Sequence, residues 1–150
     1  MATLAEVLLA PSNRAAVIRD CVRVLESEVD RKSGLSGLAI KAGFKALKAV
    51  KPGMVEHAMD GLLDEFVQKL EPVHSEYLAT NKSLPLEKFL ANNSARIANV
   101  LLGITDQRAQ RSEHGMVRST YEKLRPMAGR QIEEAMPAVA GLLKKHMQYP

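Results

Sequence analysis

Apolar residues recur at helical spacing along nearly the whole of this sequence, and that pattern constrains the fold more than any other feature. Ile18, Val22, Leu25 and Val29 fall on one stripe, because 3.6 residues complete one turn of a helix. A second, broader stripe covers residues 55–70, and no β-rich alternating run of useful length accompanies them. The sequence therefore predicts an all-α fold: a compact orthogonal bundle of about six to eight helices, some short, in a single domain over residues 1–150.

Capping residues and turn residues divide this pattern into separate helices. Thr3 and Glu6 have the spacing of a capping box, which predicts a short first helix. Pro52-Gly53 separates a third helix, predicted over residues 36–50, from a fourth. Residues 80–85 form the most loop-like stretch of the chain.

Two prolines affect how the helical pattern near the C-terminus is divided into helices. Pro126 suits the first turn of a last helix, where its missing N–H has no partner to lose. Pro137 falls inside the apolar pattern of that helix and projects to its polar side. We therefore expect one last helix that is kinked at Pro137 rather than two helices.

The composition limits both the core and the compartment. Of 150 residues, 46% are hydrophobic but only 4% are aromatic, with no Trp, so aliphatic side chains and Met must fill the core. The single cysteine, Cys21, cannot form an internal disulfide, which suits a reducing compartment. The apolar run near the N-terminus is too short for a secretory signal, and no window approaches the roughly 18 apolar residues of a membrane span. We expect a cytoplasmic protein.

The third predicted helix has two contrasting sides. Lysines gather on one of them, and this basic face consists of Lys41, Lys45, Lys48 and Lys51. The other side is apolar and includes Leu35 and Ile40, with Gly43 at its centre. A glycine inside a helix costs about 0.5–1 kcal/mol relative to alanine, and on a buried face it allows another backbone to come close. We predict a close helix–helix crossing here, within the domain or between subunits, at a packing site made of Ala39, Gly43, Phe44 and Leu47.

The basic face has several interpretations. It could be a solvated surface that is partly paired with the acidic side of the next helix, whose members are Glu56, Asp60, Asp64 and Glu71. It could bind an anionic membrane surface, although the apolar side would then have to leave the core. An acidic protein partner is a third interpretation, and nucleic acid is the least favoured. The leading function is a non-enzymatic protein–protein interaction module that could self-associate, and reversible lipid or membrane-surface binding through residues 36–50 is the alternative.

The remaining polar residues nominate no catalytic site, metal or cofactor, although an enzyme and a small-molecule ligand both stay open. Glu71 and His74 have the Glu-x-x-His spacing of helical di-iron sites, but the chain holds one copy and Pro72 interrupts it. His57 could join a carboxylate cluster for a hard cation, but surface titration is the favoured interpretation, and His146 is expected to pack in the core. Cys21 is expected to be a buried, inert thiol. Acidic residues interleave a second basic cluster, which argues against nucleic-acid binding and comprises Arg108, Arg111, Arg118, Lys123, Arg125 and Arg130.

Three segments carry a resemblance to known proteins: KSGLSGLAIKAGFKALKAVKP, LLGITDQRAQRSEHGMVRSTYEKLR and MPAVAGLLKKH. Together they resemble a family of small helical bacterial proteins with no assigned function, over nearly the whole chain. The shared features are compositional, with Ala, Gly, Lys and Leu in helical order. The resemblance implies an all-helical fold and a bacterial source, and it carries over no catalytic or binding residue.

Overall fold

A computed structural model describes residues 1–80 and 83–150 of the chain, and within those ranges it is all-α, with no strand. The prediction of an all-α bundle of about six to eight helices is confirmed. Residues 81 and 82, which belong to the predicted loop over residues 80–85, lie outside the described residues. The helices are α1 (Leu4–Leu8), α2 (Arg14–Arg31), α3 (Gly34–Lys48), α4 (Met54–Ala79), α5 (Leu86–Asn92), α6 (Ser94–Gln110), α7 (Gly115–Glu134) and α8 (Met136–Met147).

The start of α1 is fixed by two separate sets of hydrogen bonds. The predicted capping box is present, because the Glu6 N–H donates to Thr3 Oγ1 at 3.1 Å and the Thr3 N–H donates to Glu6 Oε2 at 3.2 Å. Glu71 of α4 accepts from the next two amides, Leu4 N at 3.0 Å and Ala5 N at 2.9 Å. The first turn of α1 is therefore anchored to α4, although 66 residues or more separate the partners in sequence.

The boundary between the last two helices lies where the sequence did not place it. Pro126 is inside α7, and α8 begins at Met136 with Pro137 in its first turn. The prediction of one last helix starting at Pro126 and kinked at Pro137 is wrong on both points. α7 packs against α6 and α3 along its length, and these tertiary contacts hold it helical past Pro126. Pro137 occupies the position that a helix start tolerates best.

Two neighbouring groups of buried side chains make up the core. The first joins the C-terminal part of α4 to α5, α6 and α8 around Val73, Phe89, Ile97 and Met136. The second joins α1, α2 and α4 to the end of α8 around Leu4, Val17 and Val67. The long helix α4 and the last helix α8 belong to both groups, so they hold the two halves of the bundle together.

Candidate functional site on α3

The corner between α2 and α3 is tight and is formed by two glycines. Gly34 has φ of +70°, the left-handed region that favours glycine, and it starts α3 immediately after Ser33. One turn later, a Cβ placed on Gly37 would lie 2.7 Å from the carbonyl carbon and 3.0 Å from the carbonyl oxygen of Lys32. Gly37 is thus the glycine of α3 that approaches another stretch of backbone. Gly37 was not among the packing residues predicted from sequence, although its position one turn after a turn glycine was a signal.

α3 is turned about its axis relative to the sequence-based expectation. Its two buried residues are Gly37 and Ile40, whereas the predicted centre at Gly43 is half-buried. Of the other predicted packing residues, Phe44 and Leu47 are half-buried and Ala39 is exposed. A Cβ on Gly43 would lie 2.7 Å from Cδ1 of Leu124, so this glycine faces a side chain of α7. The helix itself begins and ends two residues before the predicted range of 36–50.

The rotation leaves two large apolar side chains in solvent. Leu35 is 87% exposed and Leu38 is 66% exposed, and the placement of Leu35 on the buried side was wrong. Leu38, Lys41 and Lys45 follow one another at intervals of three and four residues, so they lie along one side of the helix. We call this surface the outward face of α3, and its exposed members are Leu35, Leu38, Lys41, Ala42, Lys45, Lys48 and Ala49.

The lysines of the basic face carry no neutralising partner within residues 1–80 and 83–150. No ion pair joins any of the four to a carboxylate; Lys41, Lys45 and Lys48 are exposed and Lys51 is half-buried. Lys48 Nζ lies 5.3 Å from the centroid of the Phe44 ring, within the range of a cation–π contact. The outward face of α3 therefore presents apolar side chains beside uncompensated positive charge.

Three of the four acids on the acidic side of α4 are engaged with partners other than the lysines. Arg14 of α2 lies between Asp60 and Asp64, at 3.1 Å and 3.0 Å from their carboxylates. Glu71 accepts the α1 amides described above. Among the described residues, the lysines of the basic face do not pair with these acids, so the partly paired surface that was one interpretation of the sequence is not formed. The lysine charge remains directed to solvent.

A family model matches residues 4–147, which is nearly the whole chain. The chain belongs to DUF6918, a family of unknown function. No curated protein matches the chain, and neither does any solved structure. None of the helices in the described part of this DUF6918 member is long and apolar enough to cross a membrane.

Elsewhere in this family member, the polar residues singled out in sequence are structural or dispersed. His57 is exposed, and in the two described ranges no three His, Cys, Asp or Glu residues are placed to hold a metal ion. His146 is half-buried and its Nε2 lies 2.6 Å from Asp20 Oδ2. Cys21 lies largely within the bundle, where burial, with a smaller effect of the Asp20 charge, raises the pKa of its thiol to about 11. A thiol held protonated in this way is a poor nucleophile.

Half of the second basic cluster is paired with acids, two of them on neighbouring helices and one on the same helix. Arg125 Nε donates to Asp106 Oδ1 at 2.8 Å, and the same oxygen accepts from the Tyr121 hydroxyl at 2.5 Å. Hydrogen bonding to Arg125, and then to Tyr121, holds the pKa of Asp106 below its usual value. Arg108 and Arg130 pair with Glu65 and Glu134. Three of the six basic residues of this cluster are therefore already paired, which reduces the positive charge available to a nucleic acid.

Proposed function

We propose that this protein binds reversibly to anionic membrane surfaces through the outward face of α3. The observation that carries the proposal is the combination, on one exposed helix face, of Leu35 and Leu38 with lysines that have no acidic partner among the residues that the structure describes. Apolar side chains beside lysines are typical of helices that lie in a membrane interface. We expect this binding on a cytoplasmic membrane face, as the sequence predicts a cytoplasmic protein.

The position of the leucines removes the main objection to membrane binding. With Leu35 on the buried side, as expected from sequence, the apolar side of the helix would have to leave the core before it could meet lipid. Leu35 and Leu38 are already on the solvent side, while Gly37 and Ile40 retain the contact with the bundle. Docking therefore requires no rearrangement of α3.

The expected affinity is modest. A lysine near an anionic leaflet contributes about 1 kcal/mol, so Lys41, Lys45 and Lys48 together contribute about 3 kcal/mol. Full burial of a leucine contributes about 1.5–3 kcal/mol, and Leu35 and Leu38 can gain only the part that is still exposed. The sum, reduced by the entropy lost on docking, corresponds to weak and reversible binding. Because these lysines are exposed, added salt weakens their contribution to the binding free energy by screening.

Charge and composition favour a membrane over a second copy of the chain. Residues 33–53 contain no Asp or Glu, so pairing two copies across the outward face of α3 would bring like charges together. Lysine is also depleted at the centres of protein interfaces. The interaction module and self-association predicted from sequence remain predictions, and an acidic protein partner is an alternative outcome of the experiment below.

Vesicle flotation tests the proposal directly. Purified protein is mixed with phosphatidylcholine vesicles with or without phosphatidylserine, and the floated fraction is measured at low and high salt. We expect flotation only with phosphatidylserine, and its loss at high salt. The double variant Lys41→Glu/Lys45→Glu should weaken binding at least tenfold, because each charge reversal changes the interaction by more than about 1 kcal/mol. Leu35→Ser/Leu38→Ser should weaken it as well.

The control reverses one lysine charge at another exposed site and is compared with Lys41→Glu alone, so that both variants change the net charge by the same amount. Lys69→Glu on α4 alters the net charge without touching the outward face of α3, so it should leave flotation nearly unchanged. Equal losses for Lys69→Glu and for the α3 variants would indicate unspecific attraction and contradict the proposal. Absence of flotation, together with a dimer that Leu35→Ser/Leu38→Ser dissociates, would favour self-association instead.

A further inference from the structure

The interior of the bundle contains a cavity of about 450 Å³, to which all eight helices contribute side chains. Its lining is almost wholly aliphatic and aromatic. Protein interiors contain few voids larger than one water molecule, and a void of about 150 Å³ is already enough to bind benzene. The cavity falls within the range of about 300–1,000 Å³ that is common for small-molecule sites. Its size and its dry lining indicate an apolar ligand.

The cavity is long rather than round. Its lining residues on α4 extend from Met59 to Tyr77, eighteen residue steps, which is about 27 Å along the helix. A volume of that size spread over such a length is a narrow passage. An acyl chain in one membrane leaflet spans about 15 Å, half of the hydrocarbon thickness. A single extended alkyl chain therefore suits the shape better than a compact ring system.

Three polar atoms of the lining residues are buried, with almost no accessible surface of their own, and have no hydrogen-bond partner among the described residues. They are His74 Nδ1, Glu28 Oε2 and Gln131 Oε1. Glu28 Oε2 retains an ion pair with Lys32 Nζ at 3.6 Å. His74 is only 5% exposed, and its other ring nitrogen, Nε2, lies 2.8 Å from the Tyr149 hydroxyl. Such atoms are rare in folded proteins, and each one requires a physical explanation.

The state of His74 defines the polar group that would complement it. Burial lowers the pKa of this imidazole, more than the charge of Glu71 raises it, so the neutral ring is favoured. A neutral imidazole ring has one donor and one acceptor nitrogen. If Nε2 donates to the Tyr149 hydroxyl, Nδ1 is an acceptor, and if Nε2 accepts from that hydroxyl, Nδ1 is a donor. A hydroxyl group can donate or accept and therefore complements either tautomer. The basic residue of the lining, Lys32, is already paired with Glu28 and Glu134, so a charged headgroup would be buried without a free counter-ion, which is strongly unfavourable.

We propose that this cavity binds one long alkyl chain ending in an uncharged polar group, a hydroxyl or a protonated carboxyl, which forms a hydrogen bond with His74 Nδ1. The chain would fill the apolar passage between α4 and the surrounding helices. This inference goes beyond membrane docking and does not depend on it, because the ligand is held inside the bundle and not at the outward face of α3.

Displacement of a fluorescent fatty acid tests the proposal. The full chain is titrated with dansylamino-undecanoic acid, whose emission rises in an apolar site, and the bound probe is then displaced with hexadecanol, hexadecanoic acid or lysophosphatidylcholine. We expect displacement at micromolar concentrations by hexadecanol or hexadecanoic acid, and the tighter of the two identifies the preferred headgroup. Lysophosphatidylcholine, with its charged headgroup, should not compete. Hexadecanoic acid is ionised in neutral solution and must take up a proton to bind in this cavity. Failure of both hexadecanol and hexadecanoic acid to displace the probe would overturn the proposal.

Variants locate the bound chain. Val67 is 3% exposed and lines the cavity, so Val67→Phe should occupy part of it and weaken probe binding at least tenfold without lowering the melting temperature. Gln68→Phe adds the same ring at the next, exposed position and should leave binding unchanged. If Val67→Phe prevents folding, Ala135→Leu adds volume to the same cavity from the junction between α7 and α8. Unchanged binding in the folded cavity variant would place the probe elsewhere and refute the site.

A further variant separates the polar end from the apolar passage. His74→Leu removes the ring nitrogen while keeping an apolar side chain, so hexadecanol should bind about tenfold more weakly while displacement by hexadecane is unchanged. Equal effects on both ligands would contradict the role assigned to Nδ1. Leu35→Ser/Leu38→Ser should leave probe binding intact, and a loss in that variant would instead locate the probe on α3.

Discussion

The two glycines at the buried side of α3 should respond very differently to alanine. A Cβ on Gly37 meets the backbone of Lys32 at 2.7 Å, and that backbone belongs to the tight corner between α2 and α3. A Cβ on Gly43 meets only the side chain of Leu124, with Cδ1 at 2.7 Å, Cγ at 3.2 Å and Cδ2 at 3.3 Å, and that side chain can change rotamer. Gly103, in α6, is exposed and would meet nothing within 4 Å. The three positions therefore form a graded series.

The expected magnitudes follow from two opposing effects. Replacing a helical glycine by alanine stabilises by about 0.5–1 kcal/mol, and at Gly103 nothing opposes this gain. At Gly43 a change in the Leu124 rotamer costs about 0.5–1.5 kcal/mol, so the net change in the free energy of unfolding should be near zero. At Gly37 overpacking against backbone costs about 1–3 kcal/mol, so we expect a net destabilisation of about 1–2 kcal/mol. For a chain of this size, 1 kcal/mol shifts the melting temperature by about 2–4 °C.

Thermal and urea unfolding, followed by circular dichroism, measure the series. The order of stability should be Gly103→Ala above the parent, Gly43→Ala close to it and Gly37→Ala well below. The reasoning fails if Gly37→Ala is as stable as Gly103→Ala, because the corner would then have room for a methyl group. It also fails if Gly43→Ala is the most damaging, since that result would place the close backbone contact at the centre predicted from sequence.

Two further predictions concern buried and paired groups. Glu71→Ala should destabilise the protein by about 1–2 kcal/mol, because the first two amides of α1 lose their acceptor, and urea unfolding against Gln68→Ala measures this change. Cys21 should react slowly with a thiol reagent near pH 8, since its pKa of about 11 leaves little thiolate, and rapidly in urea; equal rates would contradict its burial.

Local signals in the sequence were sufficient where the partners are neighbours along the chain. The capping box of Thr3 and Glu6 was confirmed because both of its hydrogen bonds lie within one turn. The turn at Pro52-Gly53 was readable for the same reason, as Gly53 has φ of +70° and α4 begins at the next residue. The position of the lysines on one side of α3 also follows from helical periodicity alone.

What tertiary structure decided was the direction in which each element faces. Periodicity gives the relative positions of Leu35, Ile40 and Gly43 around a helix, but only contact with α7 and the α2–α3 corner fixes which of them is buried. Likewise, Pro126 remains inside α7 because α3 and α6 support the helix on either side of it. The internal cavity, and the burial of His74 at its wall, arise from side chains that all eight helices bring together. Such features depend on contacts between residues far apart in the chain, whose free energies exceed the local preferences that a sequence displays.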